Sequence, residues 1–93
     1  SSLLALATAA LRRGDAAEAL RLTESVVNAD PINEDATYRV MEAHIQLGNL
    51  ELATRAYRRL HDALLEDVGS EPSRRVRTLY QRVISGEALD DQR

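Results

Sequence analysis

Gly14-Asp15-Ala16-Ala17-Glu18-Ala19 and Gly48-Asn49-Leu50-Glu51-Leu52-Ala53 share one pattern, Gly-Asx-x-x-x-Ala, and both the glycines and the alanines stand 34 residues apart. Each position has a physical task. Glycine ends a helix at no steric cost because it tolerates positive φ. The Asp or Asn that follows offers a side-chain oxygen to the free N–H groups of the next helix. The small alanine lets the two helices of a pair approach closely. Asp30-Pro31 then closes the first unit, since proline cannot continue a helix.

Apolar spacing extends this reading in both directions. The first helix is predicted from about Leu3 to Arg13, with Leu3, Leu6, Ala7, Ala10 and Leu11 on one stripe. The second opens at Asp15-x-x-Glu18, which resembles a capping box, and runs to about Ala29 with Ala19, Leu20, Thr23, Val26 and Val27 inward. The third follows its N-cap Asn33, carries Glu34 and Asp35 where acids suit the helix dipole, and turns Thr37, Val40, Met41, His44 and Leu47 to one face. The fourth spans about Leu50 to Asp67, with Ala53, Ala56, Tyr57, Leu60 and Leu64 inward. A second proline is due at Leu65 and is absent, so this helix is longer and ends at Val68-Gly69. Ser73 caps a fifth helix whose Val76, Leu79, Tyr80 and Val83 recur at i, i+3, i+4 and i+7. A period of 34 is that of the tetratricopeptide helix-turn-helix repeat, a unit that buries its apolar face only against a neighbour. The expected fold is therefore an all-α, tetratricopeptide-like superhelix: repeat 1 over about 1–32, repeat 2 over about 33–68, a capping helix over about 73–85. The single domain covers 1–85, and 86–93 is expected to be a flexible tail.

Composition narrows the function. Ninety-three residues make one small domain, and the 44% of hydrophobic residues include only three aromatics, Tyr38, Tyr57 and Tyr80. No run approaches a membrane span, and no basic-then-apolar leader precedes Leu3. The absence of cysteine excludes disulfides and thiol chemistry. A cytoplasmic protein is expected. A net charge of −3 argues against direct nucleic-acid contact, although Arg74, Arg75 and Arg77 form a candidate basic contact face. Arginines in the first turn of a helix oppose its dipole, a small sign of selection for contact; a solvated face is the plainer reading.

Candidate chemistry is sparse. His44 and His61 lie on different predicted helices without helically spaced partners, so no metal site is expected; His44 reads as a core side chain and His61 as a rim residue. Asp30, Glu34 and Asp35 lack the glycine and terminal glutamate of a calcium loop. None of six serines sits in a Gly-x-Ser-x-Gly turn. Neither an enzyme nor a cofactor is expected.

The second half carries a more specific likeness. Asp30-Pro31-x-Asn33-Glu34-Asp35-Ala36, Gly48, Ala53 and Tyr57, then Leu64-Leu65-x-x-Val68-Gly69-x-Glu71-Pro72-Ser73 and Leu79-Tyr80-x-x-Val83-Ile84 resemble the bacterial transcriptional activator domain. Val68-Gly69-Ser70-Glu71-Pro72-Ser73 is similar to the family's Leu-Gly-x-Glu-Pro-Ser turn. The resemblance covers essentially the whole chain and implies that it corresponds to the C-terminal part of the family domain. It implies a non-enzymatic module for dimerisation, or for contact with other domains or the transcription machinery. A generic repeat scaffold that binds a peptide is the alternative. Carrying the tetratricopeptide groove over by position gives Thr8, Arg12, Tyr38, Glu42, Ile45 and Gln46 as a candidate peptide groove. The apolar excess of the first helix gives Leu3, Leu4, Ala7 and Leu11 as a candidate dimer strip.

Overall fold

The structure, a computed structural model, describes residues 2–90, the last two by backbone alone. Its helices are α1 (Leu3–Arg12), α2 (Ala16–Ala29), α3 (Glu34–Gln46), α4 (Leu50–Val68), α5 (Arg74–Ser85) and the short α6 (Glu87–Asp90). The described residues contain no strand. This is the expected all-α repeat fold.

The repeat register is written in the backbone. Gly14 and Gly48 adopt φ of 79° and 75°. Asp15 N–H donates to the Ala10 carbonyl and Asn49 N–H to the His44 carbonyl, each at 2.8 Å. Gly14 N–H and Gly48 N–H donate likewise to Leu11 and Ile45. Every one of these donors and acceptors has its counterpart 34 residues on. The caps differ. Asp15 accepts from Glu18 N–H at 3.1 Å, whereas Asn49, expected to do the same, makes no side-chain capping bond. Both residues have nearly the same backbone conformation, so the glycine conformation and the backbone pairs, not the cap, define the shared turn. Asn33 and Ser73 cap α3 and α5 as expected.

Packing follows from α3, which touches α1, α2, α4 and α5. One cluster of small side chains lies between α1 and α2: Ala7, Ala10, Ala16 and Ala19 with Leu11 and Leu22, closed by Ala43 of α3. The larger cluster joins Met41, Tyr57, Leu60, Leu64, Val76, Leu79 and Val83. Tyr57 and Tyr80 stack at 3.9 Å between centroids, which fastens α5 to α4.

Several inward assignments need correcting. Leu3 and Leu6 are 42% and 47% exposed, because the α1 stripe meets only two helices and its edge is left over. In α2, Leu22 is buried where Leu20 is only half-buried. Leu47 is 48% exposed, while Ala43 and Ile45 on other sides of α3 are buried, since a helix with four neighbours buries more than one face. The flexible tail also needs correcting: the chain turns back at Gly86, and Glu87–Asp90 form α6, with Ala88 buried at 1% exposure against the main cluster. Residues 91–93 of that expectation lie outside the described residues.

Candidate interaction trough

The concave wall is made by α1, α3 and α5. α4 runs past the position of the missing proline to Gly69, which delays α5 and brings its start over the start of α3. Two contacts pin it there. Ser73 N–H donates to Glu34 Oε1 at 2.6 Å, and Arg75 Nη1 lies 3.6 Å from Asp35 Oδ1. The two acids expected only to suit the α3 dipole therefore also hold α5.

Along this wall the candidate groove residues come together in part. Thr8 Oγ1 donates to the Leu4 carbonyl at 3.0 Å and accepts from Arg39 Nε at 2.9 Å. Arg39 Nη1 also reaches Glu42 Oε1 at 3.2 Å. Gln46 Nε2 donates to the Leu11 carbonyl at 2.9 Å, a second donor to the oxygen that already accepts from Gly14 N–H. Tyr38 is half-buried beneath the Arg75 guanidinium, 3.9 Å from its ring centroid, with Arg39 5.5 Å away. Arg12 stands exposed at one rim. Ile45 departs from the expectation: at 5% exposure it belongs to the core and only floors the trough.

The other two candidate surfaces divide. In the proposed dimer strip, Ala7 and Leu11 are buried within the chain at 0% and 8% exposure, and Leu4 is half-buried against the core. Of those four only Leu3 is exposed. The basic residues of α5 do not share one face. Arg74 and Arg75 line the trough with Thr78 and Arg82, while Arg77 acts electrostatically on Tyr57, on the side facing α4. Arg75 is an exposed first-turn cation that its Tyr38 and Asp35 contacts compensate.

Arg39, the guanidinium at the base of the trough, escapes sequence reading. Its i, i+3 relation to Glu42 is visible in the chain, but its reach to Thr8, 31 residues away, depends on how α1 and α3 pack. On the opposite side, His44 lies in a shallow hollow with Glu24, Arg55 and Arg59. Its Nδ1 is buried without a hydrogen-bond partner, and burial lowers its pKa. His61 faces Asp62 and Glu71 at 3.3 Å and 3.7 Å, 35% exposed at the rim. Burial raises the pKa of Tyr57. Among the described residues no three His, Asp or Glu side chains converge as a metal-binding group, and no helix is long and apolar enough to cross a membrane.

The family model described as the bacterial transcriptional activator domain matches residues 1–84. The chain belongs to that family. Comparison with curated proteins and with solved structures gave no match.

Proposed function

We propose that this member of the bacterial transcriptional activator domain family is a non-enzymatic protein–protein interaction module of a transcription regulator, working in the cytoplasm. The trough between α1, α3 and α5 is its contact surface. The observation that carries this reading is the construction of the wall. Arg39, Thr8, Glu42, Gln46, Tyr38 and Arg75 are ordered across three helices by mutual contacts. Such a wall presents polar and aromatic groups at little further entropic cost on binding, and Tyr and Arg are the residue types that anchor interfaces. The exposed Leu3 and Leu6 edge of α1 supports a second contact, with another copy or with a neighbouring domain.

Photo-crosslinking in the complete regulator tests the reading. A benzophenone side chain replaces Thr78 in the trough or, as control, Arg58 on the exposed side of α4. Protein adducts specific to position 78 are expected. Equal adducts at both positions, or adducts to DNA, would remove the trough as a protein contact. Sedimentation of Leu3→Glu/Leu6→Glu beside the parent chain tests the α1 edge: a dimer that becomes a monomer is expected, and a parent chain that is already monomeric excludes self-association there.

A further inference from the structure

Charge is segregated in this molecule. The trough is lined by Arg12 of α1, Arg39 of α3 and Arg74, Arg75 and Arg82 of α5, with Glu42 as the one acid among its lining residues. Residues 2–88 hold eleven arginines and thirteen acids, so among them six arginines and twelve acids lie outside the trough. A chain of net charge −3 thus gathers five of its arginines in the concavity between α1, α3 and α5.

The cations are also staged by depth. Arg39 is half-buried at the base, held by Thr8 and Glu42. Arg75 lies over the Tyr38 ring. Arg12 and Arg74 stand at opposite rims, and among the described residues neither has an ion-pair partner. Arg74 and Arg75 oppose the dipole of α5, and only Arg75 repays this, through its contact with Asp35.

We propose that the trough binds an extended acidic segment of a protein partner, with carboxylates received by Arg12 and Arg74 and the chain crossing Arg39, Tyr38 and Arg75. This rests on the reading of the trough as the contact surface and adds the chemistry of what it takes. Guanidinium forks match carboxylates in geometry and form charge-assisted bonds, and complementary potential speeds encounter. Duplex DNA fits less well. Its binding strength comes from neutralising many phosphates at once, whereas Arg39 and Arg75 already face Glu42 and Asp35. Glu34 and Asp35 also stand at the α5 end of the wall, where a phosphate backbone would meet them.

Fluorescence anisotropy of the 93-residue chain tests this. The probe is a fluorescein-labelled decapeptide of alternating Glu and Ala; extended, it spans about 33 Å, against a molecular width of 34 Å. Its Gln-Ala counterpart and a short DNA duplex are the comparisons. We expect the Glu peptide to bind at least about tenfold more tightly than the Gln peptide, a difference that added salt reduces. We expect Arg12→Gln/Arg74→Gln to lose about tenfold for the Glu peptide, while Arg55→Gln/Arg59→Gln on the opposite side of the molecule retains affinity. No detectable binding of the Glu peptide, equal affinity for both peptides, equal loss in both variants, or tighter DNA binding that depends on Arg12 and Arg74 would each overturn the proposal. Failure of the underlying reading shows elsewhere, as loss of the position-78 crosslink. If that crosslink persists while the peptides bind equally, the trough is a contact surface for a different chemistry.

Discussion

The hairpins closed at Gly14 and Gly48 are alike in backbone and unlike in filling. Their turns use the same donor–acceptor pairs one repeat apart, but alanine dominates between α1 and α2 and larger side chains dominate around α4. In register, Thr23 and Val26 of α2 correspond to Tyr57 and Leu60 of α4. The turn decides how two helices meet; side-chain volume decides how much apolar surface the meeting removes from water. The first hairpin therefore leans on its neighbour. Arg39 and Gln46 of α3 reach across to Thr8 and to the Leu11 carbonyl. The second hairpin instead has a lid, stacked through Tyr57 and Tyr80.

The largest test of this contrast is truncation at one register position. Leu60 is fully buried, and Leu60→Ala is expected to cost about 3 kcal/mol. Val26→Ala, at the half-buried counterpart, should cost about 1 kcal/mol. Urea denaturation of both variants checks the pair, and equal losses would mean that the two hairpins contribute alike. The turns should behave in the opposite way. Beyond the adjoining residues, no atom lies within 4 Å of a Cβ added at Gly14 or Gly48, so an alanine there meets only the strain of positive φ, about 1–2 kcal/mol. Gly14→Ala and Gly48→Ala are expected to lose equal stability. A difference beyond about 0.5 kcal/mol would show that the turns are not equivalent.

What sequence reading recovers follows this division. The turns rest on local chemistry and stood clear in the chain, as did the inward face of α4, where Ala53, Ala56, Tyr57, Leu60 and Leu64 are all buried as expected. The stripe of α3 was harder. A helix with neighbours on four sides has no single apolar face, so Ile45 reads as groove and Leu47 as core, whereas the structure buries Ile45 and exposes Leu47. The candidate site was half legible. Register alone placed Thr8, Arg12, Tyr38, Glu42 and Gln46 on one wall, because each repeat presents the same face. Arg39, and the closure of Arg75 over Tyr38, depend on side-chain reach between helices and on the extra length of α4, which periodicity does not encode. Of the dimer strip only Leu3 is left exposed, for a related reason: stripe width does not say which part α2 and α3 will cover.

Polar ties to α1 give the next prediction. Gln46→Ala removes the bond to the Leu11 carbonyl, at a cost of about 1 kcal/mol. Because α1 has the lighter core, the effect should be local. Amide exchange in α1 is expected to quicken about fivefold, with α4 unchanged. Equal acceleration in both helices would show that the chain opens only as one unit, and that the first hairpin has no separate weakness.

The smallest effect belongs to His44, whose counterpart one repeat earlier is the fully buried Ala10. The second hairpin thus carries a titratable group where the first has none. Burial lowers the His44 pKa below its ordinary value of 6.5, with Arg59 adding to the lowering and Glu24 opposing it. The folded chain then binds a proton there less readily than the unfolded chain. Stability is expected to be full above pH 6.5 and to fall as pH drops from there to the depressed folded value, and to be independent of this group below it. Glu18, whose pKa is lowered by its bond to Arg21, loses its contribution only on acidification below the ordinary carboxylate value of 4.5, outside this window. Denaturant midpoints taken from about pH 7.5 to about pH 5.5 should therefore fall in the parent chain and fall less in His44→Leu. His61 is common to both proteins and cancels in the difference. Leucine also removes the unpartnered Nδ1 from the interior, so the variant should be no less stable than the parent at the acid end. Equal slopes in the two proteins would mean that His44 is solvated in the folded chain, and that the hairpins do not differ in their response to pH.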